Sequence, residues 1–304
     1  MPQGSVLGPI LFILYINDLP DNLKYCSSNI FADDTKINAI VNDVDGADKL
    51  QEDLDSLSNW CKEWLLTFNK KKCHLLHIGK DNMNCLYHLE GFLISPVEEE
   101  KDLGVTITKD LKPTKNIMEC IKKANKVLGM IKRTFSHLDE VMLTQLYKVF
   151  IRPHLEYCQQ AWAPYLIKDK DMLEQVQRRA TKLVKSLEDQ PYEERLKKTK
   201  LYSLEDRRIR GDMILVYRIM TGNIKVKISD FFTLEDSTCR TRGHDMRIKV
   251  PKASNTQCRH NFFSQRVAIP WNKLPQQVVN SGSVAHFKEQ YDKWAGLVVC
   301  QSGI

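Results

Sequence analysis

The feature that most constrains this chain is a pair of short runs with β-branched residues on either side of two adjacent acidic residues. The runs over 25–31 and 35–41 contain β-branched residues, and Ala32, Asp33 and Asp34 lie between them. Runs of this kind joined by a short polar turn predict a β-hairpin. Because the first run is apolar enough to pack on a core, the turn would hold its carboxylates at a fixed position. Ordinary solvated turn residues are the alternative interpretation.

Elsewhere before residue 111, helical and strand patterns alternate. A buried helix is predicted over 6–16, and a second helix over 47–68, where apolar side chains recur on one side. Four further runs predict strands: 73–78, 85–89, 92–94 and 103–107. Beyond Pro113 the pattern becomes helical, with predicted helices over 116–135, 141–150, 155–162, 171–187, 204–220 and 284–294.

These patterns predict an α+β fold with three parts: a mixed segment over 1–111, a helical segment over 112–200 and a mixed, basic segment over 201–304. Three local signals refine it. Pro153 is expected to end or kink a helix, Ser203 and Asp206 have the form of a capping box, and 271–275 is predicted to form a turn.

The charges are divided unevenly between the front and the rear of the chain. Residues 1–100 contain 8 Lys and no Arg against 16 acidic residues, which gives −8, and the rest carries +15 within a total of +7. Carboxylates in front are suited to holding a metal ion, and cations behind to holding phosphate. Two solvated surfaces of opposite sign are the alternative interpretation.

Composition excludes several classes of protein. Hydrophobic residues at 42% and charged residues at 27% exclude a mostly disordered chain. No run approaches the roughly 20 apolar residues that cross a bilayer, and 6–16 lacks the flanks of a signal peptide. Nine cysteines without a CxxC pair favour reduced thiols over a secreted disulfide framework. We therefore expect an intracellular protein, nuclear or cytoplasmic, without a membrane partner.

Asp33 and Asp34 are the main candidates for chemistry. Hard divalent ions such as Mg²⁺ prefer oxygen ligands, and two such ions can activate an attacking 3′-hydroxyl and stabilise a leaving pyrophosphate. That arrangement needs at least one further carboxylate from another element. Asp18 and Asp21 are close in sequence, but they lie in a polar break and are expected to cap or turn the chain.

A loop with two glycines precedes the first predicted helix. Gly4 and Gly8 allow the backbone to approach a ligand closely or to pack tightly. Gln3 can offer its amide to a base or a sugar. Loops before helices often have this composition, so these residues alone do not identify a site.

Several ordered motifs resemble those of one family. PQGSVLGPILFILYINDLP and IFADDTK are similar to the nucleotide-contacting loop and the acidic hairpin in the palm of reverse transcriptases from non-LTR (LINE-type) retrotransposons. TFNKKKCHLLHIG and EKDLGVTI resemble the next palm motif and the primer-gripping strand. Four further segments resemble the thumb and the region after it: RPHLEYCQQAW, LEQVQRRATKLV, LEDRRIRGDMILVYRIM and WNKLP.

The resemblance implies a partial palm over 1–111 with an antiparallel sheet, a helical thumb over 112–200, and Mg²⁺-dependent addition of deoxynucleotides to a DNA primer on an RNA template. It also implies individual roles: Asp33 and Asp34 as catalytic metal ligands, Lys72 near the pyrophosphate, Gln3 and Gly4 facing the incoming nucleotide, and Leu103 and Gly104 at the primer backbone. Lys72 fits a solvated lysine at a strand edge equally well.

The departures from the family pattern matter as much as the matches. A complete member has fingers and an earlier palm strand that carries its first catalytic aspartate, before the loop with Gln3. Loss of a preorganised metal ligand, such as that aspartate, typically lowers activity on the order of 100-fold or more. We therefore expect the chain as given to be inactive and to expose apolar surface that the fingers would cover.

Basic residues on the rear helices could follow a nucleic-acid backbone: Lys122, Lys123, Lys126, Arg178, Arg179 and Lys182. Trp162, Tyr165 and Phe262 could stack on bases, whereas Trp271 is expected in a core. The competing function is therefore a non-catalytic nucleic-acid-binding protein derived from a transposon. A transposon relic without a selected function is a third interpretation.

A zinc site is a weaker hypothesis. Cys239, His244, Cys258 and His260 are potential ligands, but their pairing is looser than structural zinc sites use. Buried cysteines and surface histidines are the favoured explanation.

Overall fold

A computed structural model of the protein describes residues 4–79, 82–235, 243–252 and 256–297. Contacts within the chain divide it into two compact units: unit 1, Met1–Leu111, and unit 2, Lys112–Ile304. Unit 1 combines helices with short strands and unit 2 is mostly helical, so the α+β class is confirmed. The assignment of palm and thumb and the boundary at 200 stay predictions.

Unit 1 has two α-helices, α1 (Gly8–Tyr15) and α2 (Val44–Glu63), and 3₁₀ turns over Leu19–Asn22 and Lys70–Lys72. Its strands are β1 (Ser27–Phe31), β2 (Asp34–Asn38), β3 (His74–Leu76), β4 (His88–Leu89), β5 (Phe92–Leu93), β6 (Ser95–Val97), β7 (Glu99–Asp102) and β8 (Val105–Thr108).

Strands β1 and β2 form the predicted hairpin. Five consecutive residue pairs are in register, and the last joins Phe31 to Asp34. The connection is therefore two residues long, with a φ of 52° at Ala32. A positive φ at the first central residue is what two-residue hairpin turns require, because it matches the twist of the strands. The acidic pair lies at the tip, with Asp33 in the turn and Asp34 opening β2.

The strands of unit 1 pair two by two, and the predicted single antiparallel sheet is not present among them. Three pairs are antiparallel hairpins, whereas β3 and β6 pair in parallel. Residues at positive φ close the two later hairpins, at Glu90–Gly91 and at Leu103–Gly104. The strand predicted over 103–107 therefore begins only at Val105. Local patterns encode hairpins, but the joining of hairpins into a sheet depends on contacts distant in sequence.

Helix α1 forms where it was predicted, but it is not buried. Four of its side chains are between 51% and 67% exposed: Ile10, Leu11, Ile13 and Leu14. Tyr15 lies on the side that packs against the core of unit 1. The helix is apolar on every side, so packing one side leaves the other sides in solvent. The prediction of a buried helix is wrong for this reason.

Helix α2 carries much of the core of unit 1. Asp43 caps its start, where Oδ1 accepts a hydrogen bond from a first-turn N–H at 2.8 Å. Leu57 and Trp60 pack against the end of α1, while Leu54 packs in a second cluster with Leu89 of β4. The helix therefore links α1 to the β4–β5 hairpin.

Unit 2 contains twelve α-helices among its described residues: α3 (Thr114–Thr134), α4 (Glu140–Leu146), α5 (Arg152–Glu156), α6 (Gln159–Trp162), α7 (Ile167–Thr181), α8 (Tyr192–Thr199), α9 (Leu204–Met220), α10 (Gln257–His260), α11 (Phe263–Arg266), α12 (Ala268–Asn272), α13 (Gln276–Val279) and α14 (Val284–Trp294). 3₁₀ turns cover Lys185–Leu187 and Ile228–Asp230. Nowhere in the described ranges is a helix both long and apolar enough to cross a membrane.

A π-helical turn over Tyr147–Ile151 connects α4 directly to α5. Pro153 has no N–H, and in a regular α-helix its ring would meet the carbonyl of Val149. The Arg152 N–H bonds instead to the carbonyl of Tyr147, five residues earlier. The disruption expected at Pro153 thus takes the form of a wider helical turn before it.

The C-terminal part of unit 2 packs around Trp271, which is fully buried and donates its Nε1–H to the Met246 carbonyl at 2.7 Å. Phe287 stacks on Tyr217 with ring centroids 4.3 Å apart. The core position predicted for Trp271 is confirmed. The turn predicted over 271–275 is wrong at Trp271, which lies in α12, because burial of its ring keeps that residue on a packed helix.

Two local predictions in unit 2 are confirmed. The Ser203 hydroxyl accepts a hydrogen bond from the Asp206 N–H at 3.1 Å, so it caps α9 as the sequence indicated. Helix α14 spans Val284–Trp294, the range that was predicted.

Phe287→Ala is expected to lower the free energy of unfolding of unit 2 by about 3–5 kcal/mol, because it removes a fully buried ring from between other aromatic rings. Phe262→Ala is the control, since Phe262 is 56% exposed and should change stability by less than about 0.5 kcal/mol. Urea denaturation of both variants checks this. Equal effects would contradict the assigned core.

Candidate active site

The tip of the β1–β2 hairpin presents two carboxylates to solvent. Asp33 and Asp34 are both exposed. Neither carboxylate makes a hydrogen bond or an ion pair with any residue that the structure describes. Adjacent like charges without internal partners are available to an external cation. The metal-binding role of this tip stays a prediction.

The hairpin is anchored by one buried carboxylate, Asp53 of α2. Its Oδ1 accepts a hydrogen bond from the N–H of Lys24 at 2.9 Å, and its Oδ2 accepts from Tyr25 at 3.0 Å and Cys26 at 2.7 Å. These donors belong to the segment that enters β1. Asp53 therefore fixes where the hairpin leaves the core.

Burial would raise the pKa of Asp53, but the three backbone N–H donors outweigh burial and hold the pKa below its ordinary value. Burial and the nearby Asp53 carboxylate raise the pKa of the Cys26 thiol to about 12. Cys26 is therefore protonated at neutral pH and is a packing residue rather than a nucleophile.

Sequence reasoning missed Asp53, although a signal was present. On α2 it lies three residues after Leu50 and four before Leu57, so it falls on the apolar side of the helix. An acidic side chain on the buried side of a helix needs hydrogen-bond donors. Only the backbone N–H groups of another segment could supply three donors at once.

A salt bridge brings the β7–β8 hairpin beside the acidic hairpin. Lys36 Nζ of β2 lies 2.6 Å from Asp102 Oδ2, at the end of β7. Lys36 is two residues from Asp34, and Asp102 immediately precedes Leu103 and Gly104. The structure thus brings the predicted primer-contacting turn close to β2.

The other predicted palm residues lie outside the β1–β2 hairpin in the chain. Gln3 lies outside the described residues. Gly4 is exposed with a φ of 86°. Lys72 is exposed in the 3₁₀ turn before β3, where its side-chain ammonium makes no ion pair or hydrogen bond with another described residue. Its place in a turn differs from the strand edge that the sequence suggested.

The described residues contain no cluster of three side chains that could hold a metal ion. Hard oxygen donors suit Mg²⁺, so Asp33 and Asp34 fit part of such a site. The source of the further carboxylate that such a site needs stays a prediction. Asp18 lies within a turn and Asp21 in a 3₁₀ turn, as the break after α1 suggested.

The lysines predicted to contact nucleic acid on α3 are open to solvent. Lys122, Lys123 and Lys126 are exposed and unpaired with any described residue. Lys122 and Lys126 lie one turn apart on the same side of the helix. Their ammonium groups are therefore available to bind phosphate.

The predicted cations on α7 differ from one another. Arg178 lies over the Tyr192 ring at 4.6 Å, and Arg179 donates to the Gln175 carbonyl at 3.2 Å. Lys182 is exposed and makes no such contact with a described residue. Of this group, Lys182 most resembles the lysines of α3, and Arg178 contributes to packing on Tyr192.

Aromatic stacking on bases is excluded for Trp162, which is buried and donates Nε1–H to the Tyr157 carbonyl at 2.7 Å. Tyr165 is half-buried, and its hydroxyl lies 3.8 Å from the Cys258 sulfur. Phe262 is exposed and stays available.

The zinc hypothesis gains no support. Cys239 lies outside the described residues. His244 is buried with Nε2 3.0 Å from the Trp271 carbonyl, and His260 is exposed. The surface position expected for histidines is therefore wrong for His244, whose ring packs edge-on against Trp271.

Comparison with known proteins assigns the front of the chain to a family. Residues 1–131 match the family model described as reverse transcriptase (RNA-dependent DNA polymerase). Over these residues the chain is similar to the reverse-transcriptase family. The related proteins are polymerases of LINE-type transposons, which confirms the predicted resemblance.

Three relatives illustrate the likeness. The probable RNA-directed DNA polymerase from transposon BS of Drosophila melanogaster is 33% identical over 123 residues, which is 36% of this chain and 14% of the relative. The jockey polymerase of Drosophila funebris is 29% identical over 53% of this chain and 19% of its own length. The probable X-element polymerase of Drosophila melanogaster is 25% identical over 62% of this chain and 22% of its own. No solved structure matches the chain.

Asp53→Ala is expected to lower the opening free energy of the β1–β2 hairpin by about 2–3 kcal/mol, because three backbone donors lose a charged acceptor. Asp48→Ala on the exposed side of α2 is the control. Hydrogen exchange of the hairpin amides at neutral pH checks the difference.

The same variants predict a pH dependence. Since the pKa of Asp53 is lower in the folded protein, its contribution is complete above its unfolded pKa of about 3.9 and is lost as pH falls through the folded value. The difference between wild type and Asp53→Ala should therefore shrink below about pH 4. A constant difference would contradict the charged role of Asp53.

Proposed function

We propose that this chain is a segment of an RNA-directed DNA polymerase in which Asp33 and Asp34 bind catalytic Mg²⁺. One observation carries the proposal: two exposed, unpaired carboxylates occupy the tip of an anchored hairpin, inside the segment that matches the reverse-transcriptase family. The partners would be an RNA template and a DNA primer, in the nucleus or the cytoplasm.

The chain's own residues would position the reacting groups. When bound, Mg²⁺ supplies charge that favours the deprotonated primer 3′-hydroxyl and stabilises the leaving pyrophosphate. Asp33 and Asp34 provide oxygen donors on a hairpin that Asp53 holds still, so little reorganisation is needed on binding. Gly104, which has no side chain, lets the primer backbone approach the β7–β8 turn next to Leu103.

Further roles complete the proposal. Gln3 and Gly4 would face the incoming nucleotide, and Lys72 would lie near the pyrophosphate. Among the described residues no third ligand joins Asp33 and Asp34, and Asp102 beside β2 is already paired with Lys36. We propose that the chain alone does not extend a primer and that a longer polymerase supplies the missing carboxylate.

A graft tests the role of the hairpin. Residues 27–38 replace the corresponding hairpin in the jockey polymerase of Drosophila funebris, after primer extension by that parent has been measured with Mg²⁺ on a poly(A) template. The chimera is expected to extend the primer, and Asp33→Asn in the chimera to lower extension on the order of 100-fold or more, because a metal ligand is lost. Ser27→Ala at the far end of the hairpin is the matched control.

The outcomes separate the two parts of the proposal. Extension by the chimera that survives Asp33→Asn would overturn the ligand role. Extension by the 304-residue chain itself that disappears with Asp33→Asn would overturn the proposed dependence on a longer polymerase.

A second function has an observation in its favour: Lys122, Lys123 and Lys126 are exposed and unpaired in the described structure. The chain would then be a non-catalytic nucleic-acid-binding protein. Lys182 and, close to it in sequence, Arg178 and Arg179 of α7 would be further contacts. Phosphate neutralisation by these cations would give binding that is independent of base sequence and sensitive to salt.

For this second function, Lys122→Gln/Lys126→Gln should weaken filter retention of RNA at low salt, because two phosphate contacts are lost. Lys225→Gln/Lys227→Gln removes the same charge from exposed positions elsewhere in unit 2. Equal weakening by both double variants would mean that RNA retention depends only on net charge. If the wild-type protein retained no RNA, this second function would be excluded.

A further inference from the structure

A second cationic cluster lies in unit 2, away from the residues that the sequence singled out. It begins at the π-helical turn before Pro153, where Lys148 and Arg152 are four residues apart. Positions four apart on a helix face the same side. π-helical turns are rare and occur frequently at functional sites, so this turn marks a candidate site.

Two other elements bring cations to the same place. The Arg207 guanidinium of α9 donates to both carboxylate oxygens of Glu156, with 2.8 Å between Nη2 and Oε2. The end of α8 is held beside α4 because Thr144 Oγ1 donates to the Thr199 carbonyl at 3.1 Å. Lys200 follows directly and is exposed.

The cluster has more positive charge than its acid can balance. Glu156 is engaged by Arg207, and Arg152 Nε is 3.8 Å from it, too far for a hydrogen bond. Burial lowers the pKa of Lys148, and the neighbouring Arg152, Arg207 and Lys200 lower it further. Among the described residues, every charged group that shifts the pKa of Lys148 is thus a cation.

These cations also have free donors. Lys148 and Lys200 are exposed, and neither forms an ion pair or a side-chain hydrogen bond with a described residue. The Arg152 guanidinium likewise makes no hydrogen bond in the described part of the chain. Guanidinium and ammonium groups with unused donors match the oxygens of a phosphate.

We propose that Lys148, Arg152 and Lys200, held in place by the Arg207–Glu156 pair, bind the phosphodiester backbone of a single-stranded nucleic acid. An extended ligand fits better than a free phosphate, because the lysines are open to solvent and come from separate elements. The site does not depend on Asp33 or Asp34, so it stands or falls independently of polymerase chemistry.

The test is a salt titration of binding to a fluorescently labelled oligouridylate RNA, using the full chain. Lys148→Gln/Lys200→Gln should reduce the slope of log affinity against log salt concentration by about 1.4, because each phosphate contact on a single strand contributes about 0.7. The double variant spares the Arg207–Glu156 pair, and its thermal unfolding should match that of wild type.

Lys273→Gln/Lys288→Gln is the matched control, since both lysines are exposed and lie in another part of unit 2. An unchanged slope for this control supports the proposal. Equal loss of slope in both double variants, or no loss in Lys148→Gln/Lys200→Gln, would overturn it. A thermal shift with inorganic phosphate at constant ionic strength, without any effect of the variants on RNA binding, would reassign the site to free phosphate.

Discussion

A buried carboxylate that accepts three backbone hydrogen bonds is the interaction on which the front of this protein depends. An isolated two-stranded hairpin is marginal in water, and β1–β2 shares no further strand among the described residues. Asp53 compensates for this by fixing the chain just before β1. The orientation of the acidic tip is therefore determined by a residue on α2, about twenty positions further along the chain than the tip itself.

Features with local causes could be predicted from the sequence. The acidic hairpin, the Ser203 cap and the bounds of α14 follow from turn residues, a capping pattern and helical spacing within one segment. The exposure of α1, the separate two-stranded sheets and the donors of Asp53 could not be predicted, because each depends on which distant segment lies alongside. The same dependence on distant contacts explains why Trp271 lies in a helix: burial of its ring outweighs the turn-like composition of 271–275.

The positive charge of unit 2 is not one uniform surface. Some of its arginines hold the fold together: Arg266 forms a two-bond pair with Asp212, and Arg207 forms one with Glu156. Others, such as Lys122 and Lys126, are open to solvent. Counting basic residues therefore overstates the surface that can meet phosphate, and geometry separates cations with structural partners from those without.

Helix α1 has a consequence for how the chain behaves in bulk. Ile10, Leu11, Ile13 and Leu14 are exposed on a helix only eight residues long. Exposed apolar surface of this kind drives association between molecules. Changing the exposed side chains of α1 would therefore alter association between molecules more than it alters folding stability.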